Sequence, residues 1–522
     1  MGVRKTKTKD ELMNQATQLV IPMTGVGQRF VNRGYSDIKP LIQTGMGSML
    51  AGVLRNFQSI TSPICVVSES HPQKSRLKDE IIRLRPQARI VEIEAHKKGP
   101  SFAVWCAKEY LDPELPAIVN YCDFSGIWSE DKLIKSLTQQ DGLILTYKGF
   151  HPHRFRSNAY AYVKKDMNDI VTEVQEKRSF TNDPAKEEAS SGTYGFKTAR
   201  IMLSAIQKQL DQDISYKEEF YTSLTYIPMI RDGLEVKTML IEKFFQWGTP
   251  DDLEDFMFWS ELAMKKTNLK SPLDSSNGLI LAAGSGTRLA QYTDTPKPLI
   301  KVFGKPLWEY SAELINSCSN KSVFIRSQDQ TEYFSKNCPN ISKLFVNSAT
   351  SSQAESAKKG LEMIKPNNLP VHVLAADNII QQIKISDITE KIKESDLIVW
   401  VTKSYSIAKL HPAHFTWVDV DEDNQITKVY FKESSPNKES FSILGNFTFK
   451  SMHMAEKMIK DVISKSPLKR EIYLDHVIEY CLEKKYRVSV FVVNKSFSIG
   501  TEEEWLTLSY WQESFSDLGQ FE

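Results

Sequence analysis

The sequence predicts an α/β protein built as two similar domains in tandem, each around a mostly parallel central sheet. Three observations carry this. At 522 residues the chain is too long for one hydrophobic core. A set of short motifs recurs in the same order about half a chain later. Each half alternates short apolar runs with amphipathic segments, the pattern of strands joined by crossover helices.

The composition is that of a globular protein, with 41% hydrophobic and 25% charged residues. A formal net charge of +1 gives no field to attract a polyanion, which argues against a nucleic-acid partner. No apolar run of about 18 residues occurs, so no membrane insertion is expected. The start of the chain lacks the apolar core of a signal peptide. Gly2 and Thr6 fit the loose N-myristoylation pattern, although a short basic tail is the plainer reading. Six scattered cysteines (Cys65, Cys106, Cys122, Cys318, Cys338 and Cys481) argue against a zinc site or disulfide framework and fit a reducing cytoplasm.

The repeat begins at Leu19–Phe30, which contains Gly25, Gly27 and Arg29, and continues to Lys39 and Pro40. Its counterpart is Gly278–Leu289, with Gly284, Gly286 and Arg288, followed by Lys297 and Pro298. Further pairs keep nearly the same spacing: Asp123 with Asp377, His151 with His411, Lys177 with Lys432, and Gly248 with Gly500. Chance does not supply six such matches in one order, so the halves read as a duplication. The expected domains are residues 1–265 and 277–522, joined by the polar stretch from Lys266 to Asn277.

In the first half, Leu19–Met23, Ile64–Val67, Arg89–Ile93, Ala117–Asn120 and Leu143–Thr146 read as strands. Gly47–Phe57 and Ser75–Leu84 read as helices. Ligands of such sheets bind beyond the carboxyl ends of the strands, where the first glycine-rich loop and Asp123 fall.

Glycines after a strand let backbone N–H groups approach phosphates, and Arg29 or Arg288 adds a permanently charged bidentate donor. A Gly-x-Gly-x-Arg run alone usually marks an ordinary turn. Its weight here comes from the Lys-Pro that follows and from the repetition. An aspartate near a strand end is by itself more often a loop cap than a metal ligand. Phe244, Phe245 and Trp247 read as core, and His151, His153, His411 and His414 as structural or acceptor-side groups, with zinc disfavoured.

The runs Leu281–Leu289 and Thr295–Leu299 resemble the signature of the sugar-phosphate nucleotidylyltransferases. The first half resembles a branch of that superfamily found with capsule and lipopolysaccharide genes, through Ile21-Pro22-Met23, Gly34-Tyr35, Lys39-Pro40-Leu41 and Ser190–Tyr194. The resemblance covers nearly the whole chain. It implies two Rossmann-like nucleotidyltransferase domains of the glycosyltransferase A type, each transferring a nucleoside monophosphate from a nucleoside triphosphate to a sugar phosphate or polyol phosphate in the cytoplasm and releasing pyrophosphate, with homo-oligomerisation left open. Gly25, Gly27, Arg29 and Gly284, Gly286, Arg288 would hold the β- and γ-phosphates. Lys39 and Lys297 would act at the α-phosphate, and Lys177 and Lys432 would grip the acceptor phosphate. Asp123 and Asp377 would ligate Mg²⁺. Gly99 and Gln353 lie in the segments where the family reads the base, without identifying CTP, UTP, dTTP or GTP.

Departures from the family pattern stand at Gln246 and Ser498, where a second metal-binding aspartate is usual. The halves also differ at Glu176 against Phe431, and at Thr193 against Asn446. Two different acceptors, or one catalytic and one regulatory domain, are therefore expected. A glycosyltransferase of related fold is the competing reading, disfavoured because no Asp-x-Asp stands at Asp123 or Asp377.

Overall fold

The computed structural model describes residues 17–264, 275–284, 286–325, 336, 341–345, 350–381, 386–403, 406–433, 437, 439–465 and 472–519. The N-terminal tail with Gly2 and Thr6, most of the polar joining stretch, Ser285 and Cys338 lie outside them. The chain forms two compact units. One comprises Met1–Met264 together with Glu513–Glu522, and the other Lys265–Gln512.

In the first unit the main sheet runs, edge to edge, through Arg89–Ile93, Ile64–Ser68, Gln18–Met23, Ala117–Asn120, Glu188–Phe196, Gly142–Tyr147 and Val236–Leu240. Every neighbouring pair is parallel except the two made by Glu188–Phe196, which runs against both neighbours. In the second unit the order is Ser342–Phe345, Asn320–Ile325, Asn277–Ala282, Val371–Ala375, Phe441–Phe449, Leu397–Thr402 and Val488–Val492. Again one strand, Phe441–Phe449, is reversed. Both reversed strands shift register at the same place, against Ile144/Thr146 and against Val399/Val401. A short antiparallel pair extends each sheet: Tyr162–Lys165 with Val171–Gln175, and Thr416–Val420 with Ile426–Phe431. The sheets are thus parallel-rich and mixed, as a β-strand returning without a crossover helix requires.

Strand alternation explains the layering. Leu19 and Ile21 face one side of the sheet, packing with Leu50, Val53, Leu77 and Ile81. Val20 faces the other, with Ala103, Val104, Met202 and Ile206. Leu279 and Ile280 part in the same way in the second unit. Strands buried on both faces read as continuous apolar runs, which is why Leu19–Met23 could be recognised without periodicity. Of the expected helices, the first is shortened to Met49–Leu54, and the second runs from Lys74 to Leu84, one residue longer than expected. The first is capped by the Ser48 side chain, which accepts from the N–H of Ala51 at 3.2 Å.

Candidate active site

Each central strand ends in a glycine loop held open by backbone geometry. Gly27 has φ 68° and Gly286 φ 64°, in the left-handed region where a side chain strains the backbone. An added Cβ at Gly27 would also press on Lys39 Cβ at 3.2 Å, and one at Gly286 would lie 3.4 Å from Lys297 Cβ. Gly25, Arg29, Gly284 and Arg288 are exposed beside them.

The two lysines sit on tight turns, Lys39–Leu41 and Lys297–Leu299, anchored by buried Pro40 and Pro298. Lys39 Nζ reaches Asp123 Oδ2 at 2.5 Å, and Lys297 Nζ reaches Asp377 Oδ2 at 2.5 Å. These ion pairs join residues 84 and 80 positions apart, at the same place in each fold. The loop after the late strand closes over each aspartate. Trp247 N–H donates to Asp123 O at 3.0 Å, and Ile499 N–H to Asp377 O at 3.2 Å. Gly248 and Gly500 then pass so close that a Cβ would stand 3.2 Å from Asp123 Oδ2 or from Lys297 Nζ.

The second pair of lysines, expected from the resemblance to lie on the acceptor side, also correspond. Lys177 and Lys432 both follow a strand and both adopt positive φ, 57° and 51°. Lys177 Nζ donates to the Tyr221 hydroxyl, and Lys432 Nζ lies 3.9 Å over the Tyr473 ring. In the second unit one cavity of about 530 Å³ gathers Gly284, Gly286, Arg288, Lys297, Gln353, Asp377 and Lys432. In the first unit Arg29 and Lys177 are close enough to repel, and this contributes to a lowered Lys177 pKa whose main cause is burial.

Gly99 and Gln353 stand at equivalent helix starts. Gly99 has φ 84°, and a Cβ there would meet the Phe220 backbone at 2.8 Å. Gln353 turns its Oε1 to accept from the N–H of Leu474 at 3.1 Å.

Thr193 and Asn446 do not shape an acceptor pocket, contrary to the expectation from sequence. Both are fully buried between strands. The Thr193 hydroxyl donates to Asn120 Oδ1 at 2.6 Å, and Asn446 Oδ1 accepts from the N–H of Ala375 at 2.8 Å. Their difference is one of internal packing. Phe244, Phe245 and Trp247 are likewise buried, with Phe244 stacked on Tyr147 at 4.4 Å. His153 lies in the same aromatic cluster, and burial holds His151 down to about 3.

Neither atypical position supplies a carboxylate. Gln246 Nε2 donates to the Tyr160 hydroxyl at 3.4 Å. Ser498 Oγ donates to Glu504 Oε1 at 2.5 Å. Glu504, a residue the sequence reading missed, also accepts from the N–H groups of Gly500 and Thr501 at 2.6 and 2.8 Å, as the partner in a Thr-x-x-Glu capping box. Its counterpart Asp252 is taken by Arg156 at 3.1 Å. Among the described residues no group of three or more His, Cys, Asp or Glu is arranged to hold a metal ion. The donor set fits a hard cation that shares its shell between one carboxylate and phosphate oxygens. The space over Asp123 kept clear by Gly248 agrees with that arrangement.

Residues 277–522 match the nucleotidyl transferase family. This half of the chain belongs to that family. The first half is tied to the nucleotidyl transferase half by the shared strand order and by the repeated lysine–aspartate pair. A bifunctional sugar-1-phosphate nucleotidylyltransferase/acetyltransferase of Sulfurisphaera tokodaii is 43% identical over 65 residues, which is 12% of this chain. The match spans 16% of that relative's length. Among solved structures, the nucleoside-diphosphate-sugar pyrophosphorylase of Vibrio cholerae RC9 is similar at 19% identity and TM-score 0.40, over 46% of this chain and 99% of that one. The inositol-1-phosphate CTP transferase of T. maritima is similar at 17% identity and TM-score 0.36, over 47% and 98%.

Glu176 offers a test of the site's electrostatics. Burial raises its carboxyl above the usual glutamate value, against the opposing bond from Ser223 Oγ at 2.5 Å. The folded state therefore favours the protonated form. Stability from this group is present below about pH 4.3 and is lost as pH rises through the raised folded value. Glu176→Gln removes that loss while keeping an acceptor for Ser223. The variant should melt higher than the parent at pH 7 and with it at pH 3.5. An equal difference at both pH values in differential scanning calorimetry would show that ionisation is not the cause.

Proposed function

We propose that each unit is a nucleotidylyltransferase, transferring a nucleoside monophosphate from a triphosphate to a phosphorylated sugar or polyol and releasing pyrophosphate. The observation that carries this reading is the lysine–aspartate pair at 2.5 Å under a glycine loop, built twice. A triphosphate arriving with its cation offers each member a new partner of opposite charge.

An acceptor phosphate oxygen attacks the α-phosphorus, and the bond to the bridging oxygen of the β-phosphate breaks. The electron pair leaves with pyrophosphate. The acceptor phosphate is already an anionic nucleophile near pH 7, since its second pKa is about 6, so no general base is required. The protein aligns two repelling anions and neutralises charge on the transferring group. Lys177 and Lys432 would hold the acceptor phosphate, and Lys39 and Lys297 would face the α-phosphate. Arg29 and Arg288, with the glycine loops, would hold the leaving phosphates. Gly99 and Gln353 would border the base. Asp123 and Asp377 would ligate Mg²⁺, which when bound screens the phosphate charges.

Glu176 in one unit and Phe431 in the other favour two distinct acceptors, hence a bifunctional chain. A cytoplasmic role in making activated sugars or polyols for surface polysaccharide fits the motif likeness of the first half. The deciding assay is pyrophosphate release across CTP, UTP, dTTP and GTP against a panel of sugar and polyol phosphates. No release with any pair would remove the enzymatic reading, and release with one acceptor class alone would make one unit regulatory.

Arg29→Ala and Arg288→Ala should each weaken triphosphate affinity in their own unit by about 10- to 150-fold, the loss of a charge-assisted phosphate contact of roughly 1.5–3 kcal/mol. Calorimetric titration of each variant with the productive triphosphate checks this. Unchanged affinity would mean that the loops do not cradle phosphates.

A further inference from the structure

The acceptor-side lysine has a carboxylate neighbour in both units, but from different elements. In the first unit the first neighbour is Glu176, directly before Lys177, with Ser223 donating to it at 2.5 Å, and Glu219 on the facing segment adds a second negative charge. In the second unit the position before Lys432 is Phe431. Its ring stacks on His476 with centroids 4.8 Å apart at 14°, and Tyr473 continues the stack at 6.2 Å and 15°. The strand position has therefore become an apolar wall.

The carboxylate beside Lys432 stands on the facing segment, at a position that holds Ser223 in the first unit. Tyr221 and Tyr473 correspond, and two residues after each stand Ser223 and Asp475. Asp475 lines the cavity with Lys432, Tyr473 and Thr416. Its partners are Thr416, which donates a hydrogen bond to it, its own backbone N–H, and the charges of His476 and Lys432. Thr416 pairs with Phe431 across the antiparallel ladder, so wall and carboxylate border the same space. Asp475 also stands at the N-cap of helix His476–Glu483, where an aspartate ordinarily accepts a backbone N–H of the first turn. Here its side chain makes no capping bond. The carboxylate is committed to the cavity. Burial there raises its pKa, a state that hydrogen-bond donors from a ligand would relieve.

We propose that Asp475 is the specificity-determining carboxylate of the second unit, accepting hydrogen bonds from hydroxyls of a phosphorylated polyol or sugar. Lys432 holds the phosphate of that acceptor, and its C–H face lies against the Phe431–His476–Tyr473 stack. The exchange of Glu176 and Ser223 for Phe431 and Asp475 rotates the recognised hydroxyl relative to the phosphate, so the two units select different isomers or chain lengths. This rests on the reading of the second unit as a nucleotidylyltransferase.

The test uses the full chain carrying Asp123→Asn, with pyrophosphate release measured for the triphosphate and acceptor that the panel shows to be productive in the second unit. Added to this, Asp475→Ala should raise the acceptor KM tenfold or more, with kcat and the triphosphate KM within about threefold. The parent should discriminate the acceptor from its monodeoxy analogues, and Asp475→Ala should lose that discrimination for one analogue only. Thr416→Val, which removes the bond orienting the carboxylate, should give a smaller shift of the same kind.

An unchanged acceptor KM in Asp475→Ala overturns the proposal. So does an equal loss in kcat and both KM values with a lowered melting temperature, which marks a purely structural residue. If the Asp123→Asn chain with Asp475 intact turns over no pair, the enzymatic reading of the second unit falls, and this proposal with it.

Discussion

Asp377→Asn is expected to lower turnover in the second unit by about 100-fold or more while leaving the first unit's reaction intact, and Asp123→Asn to do the converse. The amide keeps the shape of the carboxylate but removes the charge that pairs with Lys297 or Lys39 at 2.5 Å. It also removes the carboxylate that, on the proposed reading, would meet a cation bound to the phosphates. Gln246 and Ser498 cannot substitute, since one presents an amide and the other donates its hydroxyl to Glu504. Pyrophosphate release by each single variant, assayed with each unit's own acceptor, decides the matter. Loss of both reactions from one change would point to one shared reaction. No loss from Asp377→Asn would make the second unit a nucleotide-binding module without chemistry.

Trp400→Ala should destabilise the second unit by about 3–5 kcal/mol, the range for truncating a large buried ring. Trp400 is fully buried at the centre of strand Leu397–Thr402, where its ring meets Phe491 edge-on at 5.1 Å. Its indole N–H donates to Thr448 Oγ1 at 3.1 Å, and the same hydroxyl bonds His372 Nδ1 at 2.9 Å. Truncation opens a cavity and strips one partner from a buried network. The neighbouring reversed strand, Phe441–Phe449, carries Ser442 to Gly445 to the cavity, so the site should loosen with the core. Guanidinium unfolding followed by circular dichroism should show an early transition belonging to the second unit. A single transition at the parent's midpoint would refute the assignment of Trp400 to that core.

Much of the candidate site was legible because its residues keep fixed distances from strand ends. Gly25, Gly27, Arg29 and Lys39 follow one apolar run, and the same run recurs before Gly284, Gly286, Arg288 and Lys297. Asp123 and Asp377 each lie just beyond another strand. A duplicated fold preserves these spacings, so repetition turned weak local signals into strong ones. Tyr221 and Tyr473 obey the same spacing and could have been found that way.

The sequence by itself determined the two-fold repeat, the α/β class and the glycine, arginine and lysine positions of the candidate site, since each is a local pattern in which strand, loop and charged residue are neighbours in the chain. Only the tertiary structure decided what those patterns meet. Thr193 and Asn446 looked like pocket residues and lie inside the sheet, because a nine-residue reversed strand sends alternate side chains to opposite sides. Glu504 carries none of the site motifs that the sequence singles out, and it caps the loop over Lys297. Asp475 could not be recognised by alignment to the first half, where Ser223 holds its place. A carboxylate's field depends on where the charge sits and not on which segment delivers it, so a carboxylate at Asp475 leaves no trace in the spacing that found Glu176.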